Sequence, residues 1–171
     1  MKKKVIIIYP DHWFSYSPTL TNIFELLSER FEVQVVAVEL LLNGKPACVR
    51  YEDPRVIYAR FPSIPKLGWR FLNKTEALFN RYIGKSSRRI SFFRLIQTIV
   101  LYLKCRKLEA DEVIGVDAVG FLVAQRIFKK AHLVSLEIST DDWFYQQLVK
   151  KASHIQSILI QSEERLRLLK L

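Results

Sequence analysis

Residues 112–137 read EVIGVDAVGFLVAQRIFKKAHLVSLE. A short apolar run, EVIGV at 112–116, stops at Asp117. The stretch AVGFLVAQRIFKK follows and ends in two lysines, where a helix dipole favours cations. A second apolar run, HLVSLE at 132–137, closes the unit. Strand, helix and strand in so short a span predict parallel strands joined by a helix packed on their face.

The same alternation extends in both directions. Upstream, VIIIY at 5–9 is near-continuously apolar, as a strand buried on both faces is. Ser17 and Pro18 suit the cap and first position of a helix, and Leu20, Ile23, Phe24 and Leu27 form its apolar stripe. VQVVAV at 33–38 is a second strand, and VIYA at 56–59 a third, shorter one. Downstream, Ser139 to Asp142 has the S-x-x-D form of a capping box, which predicts a helix through Ala152. SILIQ at 157–161 is a strand, and Ser162 begins a last helix running to Leu171. The expected fold is α/β: a doubly wound, mostly parallel sheet with helices on both faces, in one domain over 1–171.

Between the third strand and EVIGV lies a region of different character, residues 62–107, read as a basic, aromatic-rich helical insertion. Pro62 and Pro65 interrupt it, a helix is predicted over Lys74–Tyr82 with Gly84 as its stop, and a longer one over Ser91–Lys107. Residues 66–107 hold eleven lysines and arginines against a single acid, Glu76, in a chain of net charge +10. Such asymmetry points to an anionic partner. The region is either a solvated basic face over a core helix or a membrane-docking surface. In the second reading Trp69, Phe71, Phe79 and Tyr82 enter the interface, while Arg70, Lys74, Arg81, Arg88 and Arg89 meet lipid phosphates. No RRM, KH or helix-turn-helix signature accompanies the charge, so nucleic acid is the less favoured partner.

Other classes are set aside by what the sequence lacks. It has no P-loop, no GxGxxG, no HExxH and no Ser/His/Asp pattern. Cys48 and Cys105 stand far apart without a CxxC, which argues against a zinc site or a disulfide framework and fits a reducing, cytoplasmic setting. The start, MKKKVIIIYP, reads as a buried strand rather than a signal peptide, and no stretch has the length of a spanning helix. No metal is expected.

In open sheets of this type, ligands bind beyond the carboxyl ends of the strands. That directs attention to Asp11 and His12, Glu39, Asp117, and Glu137 with Ser139 to Asp142. The first of these loops, PDHWFSYSP, has no glycine with which to approach a phosphate closely. Asp117 either lines the crevice or caps the helix it precedes, and the two roles are compatible. Asp141 and Asp142 suit the first turn of a helix.

Three segments carry a resemblance. MKKKVIIIYPD…TLTNIFELLSERFEVQVVAVE is similar to the opening of GT-B glycosyltransferases of the family 4-like group; ADEVIGVDAVGFLVAQRIFKKAHLVSLEI and ASHIQSILIQSEERLRLL resemble later parts of the same N-terminal half. The likeness spans residues 4–171 through loose hydrophobic patterns, and the family's glycine pair after the first strand is missing. It implies a Rossmann-like domain that binds the acceptor, while a C-terminal half, not in this chain, binds the nucleotide-sugar donor. It thus implies half of an enzyme, inactive alone, and no cofactor within the chain. The helix reaching Leu171 is expected to be cut short by truncation. Under this resemblance Asp11, His12, Trp13, Ser17, Asp117 and Glu137 are the acceptor-binding candidates, with carboxylates and imidazole for hydroxyls and an aromatic face for a pyranose. The acceptor is then a glycan or a lipid-linked sugar, the latter reached from the inner face of the membrane. No catalytic residue is assigned. The alternative is a non-catalytic Rossmann-like module for an anionic partner: membrane surface, glycan or nucleic acid.

Overall fold

The computed structural model describes residues 2–42, 45–83, 90–136 and 143–160. Among the described residues eight strands occur in chain order: β1 (Lys4–Tyr9), β2 (Glu32–Glu39), β3 (Leu41–Leu42), β4 (Lys45–Pro46), β5 (Val56–Arg60), β6 (Glu112–Val116), β7 (Ala131–Ser135) and β8 (Ile155–Ile160). Five α-helices accompany them: α1 (Pro18–Ser28), α2 (Lys66–Ile83), α3 (Phe92–Cys105), α4 (Asp117–Phe128) and α5 (Trp143–Lys150). β3 and β4 pair only with each other, as a small antiparallel hairpin. The other strands form one six-stranded sheet in the order β5-β2-β1-β6-β7-β8, parallel at every pairing. This is the Rossmann-like, doubly wound arrangement, with the strand order reversing between β1 and β6.

Alternate side chains of each central strand feed opposite cores, as the pleat requires. Ile6 and Ile8 of β1 and Val36 and Val38 of β2 pack toward α3, α4 and α5. Val5, Ile7 and Tyr9 with Val33, Val35 and Ala37 pack toward α1, in a core completed by Phe14, Leu20 and Phe24. Among the described residues the link from β2 to β5 contains no helix. Tyr51 covers that side instead, its ring edge-on to Phe14 at 5.5 Å and to Phe24 at 6.0 Å.

Two expected elements differ in the structure. α2 starts at Lys66 rather than Lys74. Pro65 does not break it, because the residue before a helix needs no N–H; its carbonyl accepts from Trp69 N at 3.0 Å. Ser17 stands at the cap of α1, but its hydroxyl makes no capping bond; its carbonyl takes the amides of Leu20 and Thr21, both at 3.0 Å. The expectations at Ser139–Asp142, Glu137, Arg88, Arg89 and Ser162–Leu171 lie outside the described residues.

Candidate functional site

The carboxyl ends of β1 and β6 meet at the switch point of the sheet. A small pit opens there, about 50 Å³ in volume, lined by Pro10, Asp11, Arg94, Gln97, Asp117, Ala118, Val119 and Tyr145. The topology therefore gathers two of the expected acids, Asp11 and Asp117, into one recess. To them it adds a guanidinium, a carboxamide and a phenol from α3 and α5.

The first-strand loop reaches the pit without glycine because a side chain anchors it. Phe14, in a 3-10 turn over Phe14–Tyr16, is fully buried. Its ring lies against Tyr9, Phe24 and Tyr51, with centroids 6.1, 6.2 and 5.5 Å away. Asp11 thereby reaches the pit, while His12 and Trp13, which follow it, are not among the residues that line the pit and the His12 side chain is only 14% exposed. His12 N donates to Asp11 Oδ1 at 3.0 Å. His12 Nδ1 lies 2.9 Å from the same oxygen, a contact of proximity without hydrogen-bond geometry. Trp13 is half-exposed, its ring 4.7 Å from His12 and 5.9 Å from Tyr16. Asp11 also acts on Cys48: burial first, then the Asp11 carboxylate, push that thiol up, so it is not a thiolate nucleophile.

Asp117 is not the cap of α4; Val116 holds that position. Asp117 is the first helical residue, at φ 51°, a conformation that L-residues adopt at a cost and Asp and Asn tolerate better than most. Its Oδ1 accepts from Leu136 N at 2.7 Å, which ties the ends of β6 and β7 together. The strand turns directly into the helix because two glycines let backbone meet backbone. A Cβ on Gly115 would overlap the backbone of Gly120 and Phe121. A Cβ on Gly120 would sit 2.5 Å from Ile8 O and 3.4 Å from Pro10 Cδ. The amino end of α4 is thus pressed against β1, and its positive dipole end faces the pit.

Sequence reasoning missed three residues of the pit. Gln97 and Tyr145 are 4% and 5% exposed, and only the fold brings them, with Arg94, to the rim. Among the described residues Tyr145 Oη meets no hydrogen-bond partner. Burial pushes its phenol up to about 12, so it stands in the pit as a neutral O–H. The signal in the sequence was faint: a glutamine within a helix otherwise rich in apolar residues, FFRLIQTIVLYL. Compared with models of known protein families and with curated protein sequences, this chain matches none.

Two further clusters prove structural. Glu39, at the end of β2, is 3% exposed and held by Arg50 and by Arg60 Nε at 3.4 Å, so its charge is compensated within the fold. Across β6, β7 and β8, His132 Nε2 lies 3.2 Å from Glu112 Oε2 and His132 Nδ1 lies 2.7 Å from Ser157 Oγ. The three residue types match a nucleophile chain, but they stand in a row on three paired strands. That is a cross-strand polar row, placed at the register shift between β7 and β8 around His132. Among the described residues no group of His, Cys, Asp and Glu is placed to hold a metal.

Proposed function

We propose that the rim at the switch point binds a sugar acceptor, and that this chain is the acceptor-side half of a GT-B type glycosyltransferase. The reaction is transfer of a sugar from a nucleotide-sugar donor to a glycan or lipid-linked acceptor. The observation that carries this reading is the shared pit. Asp11 and Asp117, far apart in sequence, line one recess with Arg94, Gln97 and Tyr145 where open α/β sheets take their ligands. Carboxylates accept from hydroxyls, while guanidinium, amide and phenol donate, a set matched to a polyhydroxylated ligand. The pit has room for a few water-sized groups, so it suits one hydroxymethyl or diol, with the rest of the sugar outside against Trp13. The resemblance of the three sequence segments supports the same reading. Donor binding belongs, on that resemblance, to the other half.

Kinetics of the intact enzyme with its nucleotide sugar test this. Trp13→Ala and Asp11→Asn are expected to raise the acceptor KM about tenfold or more while leaving the donor KM unchanged. Unchanged acceptor KM in both variants would overturn the assignment. A change confined to the donor KM would overturn it equally.

A further inference from the structure

We infer that α2 is a membrane-surface helix, which docks this chain onto a bilayer carrying anionic lipid. The inference is independent of the transfer reaction, since it rests on a different face of the molecule.

One side of α2 is fully committed to the protein. Trp69, expected at the membrane, turns inward and stacks on Phe61 at 5.8 Å, with Phe93 at 5.9 Å. Glu76 Oε2 accepts from Phe92 N at 2.8 Å. Asn80 exchanges two hydrogen bonds with the backbone of Ile90, both at 3.0 Å. These contacts fix which side points away.

The outward side carries two stripes. Phe71 is 71% exposed, Leu78 64% and Tyr82 94%. At 3.6 residues per turn these three lie within about 40° of one another around the axis. Arg70, Lys74 and Arg81, all exposed, fall within a second band about 80° around from the first. The only acid of the helix, Glu76, is spent on the inner side. Water penalises so large an aromatic and aliphatic strip beside unopposed cations; the boundary of an anionic bilayer rewards both. A nucleic acid duplex, with its bases stacked inside, would reward the cations alone. No helix among the described residues is long and apolar enough to cross a membrane, so α2 lies along the surface.

The placement has a consequence. Phe61 follows β5 directly, at the carboxyl edge of the sheet, and Arg94 and Gln97 near the start of α3 line the pit. The inner face of α2 is pinned to Phe61 at one end and to the start of α3 at the other. A bilayer against α2 therefore sits on the helix that packs against the start of α3, the element whose Arg94 and Gln97 line the pit.

Vesicle sedimentation of the whole chain tests the inference, with phosphatidylcholine alone and with phosphatidylglycerol added. Binding to the anionic vesicles is expected to exceed binding to the neutral ones about a hundredfold, at roughly a fivefold gain for each of the three basic residues near the surface. The combined change Arg70→Gln, Lys74→Gln and Arg81→Gln reduces binding to the neutral level. The combined change Phe71→Ser, Leu78→Ser and Tyr82→Ser abolishes binding to both. Hydrogen exchange of the unaltered protein gives an independent readout: anionic vesicles are expected to slow exchange over α2 and leave α4 unchanged. Equal or absent binding of the unaltered protein to the two vesicle types overturns the inference. So does wild-type binding by both variants, exchange unaltered over α2, or displacement from vesicles by a short nucleic acid duplex.

Discussion

Two segments reach the pit side by side, residues 10–17 after β1 and residues 117–120 after β6, and they are built on opposite plans. The first is a loop filled by side chains: Phe14 plugs the core, His12 is mostly buried, and Asp11 and Trp13 stay partly exposed. The second has almost no loop, and Gly115 and Gly120 allow backbone to touch backbone. The contrast teaches where glycine is required. In many nucleotide-binding domains the first loop needs it so that phosphate can approach. Here the close approach occurs at the second segment, between α4 and β1, and the first is free to carry aromatics.

If that division holds, the first segment fails by losing volume and the second by gaining it. The largest effect is expected for Phe14→Ala, about 3–5 kcal/mol lost in urea unfolding, because the cavity opens among Tyr9, Phe24 and Tyr51. Next is Gly120→Ala, expected to cost about 2–3 kcal/mol, since the atom 2.5 Å from the new Cβ is a main-chain oxygen that moves only with β1. A neutral Gly120→Ala would show that α4 does not press on β1 and would break the comparison.

A pair of substitutions at Asp117 sharpens it further. Asp117→Ala removes the acceptor of Leu136 N and keeps the positive φ, an expected loss of about 2 kcal/mol. Asp117→Gly loses the same bond but relieves the backbone, and is expected to be about 1 kcal/mol more stable than Asp117→Ala. Equal stabilities would mean that the turn stores no strain.

The smallest effect concerns the floor that both segments share. The phenol of Tyr145 is raised from 10.0 to about 12, so the folded chain holds this proton more tightly than the unfolded one. Stability from this source is complete below pH 10, and is lost as pH rises from there toward 12. Melting temperature against pH is expected to fall less steeply in that window for Tyr145→Phe than for the unaltered protein. Parallel curves would show that the phenol is not desolvated.

Much of the scaffold was legible because its signals are local. VIIIY is apolar for its whole length and EVIGV from Val113 onward, as parallel central strands are, and Asp117 marks the point where strand gives way to helix. The start of α2 was misplaced because Pro62 and Pro65 read as breakers, whereas a proline just ahead of a helix costs no hydrogen bond. Trp69 was assigned to the outer face on composition, but its direction depends on Phe61 and Phe93, which belong to other elements. Residue 137 fell, as an expectation, outside the described chain.

The sequence by itself determined the order of strands and helices, the parallel class of the sheet, and the presence of Asp11 and Asp117 at strand ends, because each follows from hydrophobic period and short-range backbone chemistry. Only the tertiary structure decided that Arg94, Gln97 and Tyr145 join those acids, and that Phe71, Leu78 and Tyr82 rather than Trp69 face outward. Which side of a helix is inward is set by what packs against it, and that information is spread over residues far apart in the chain.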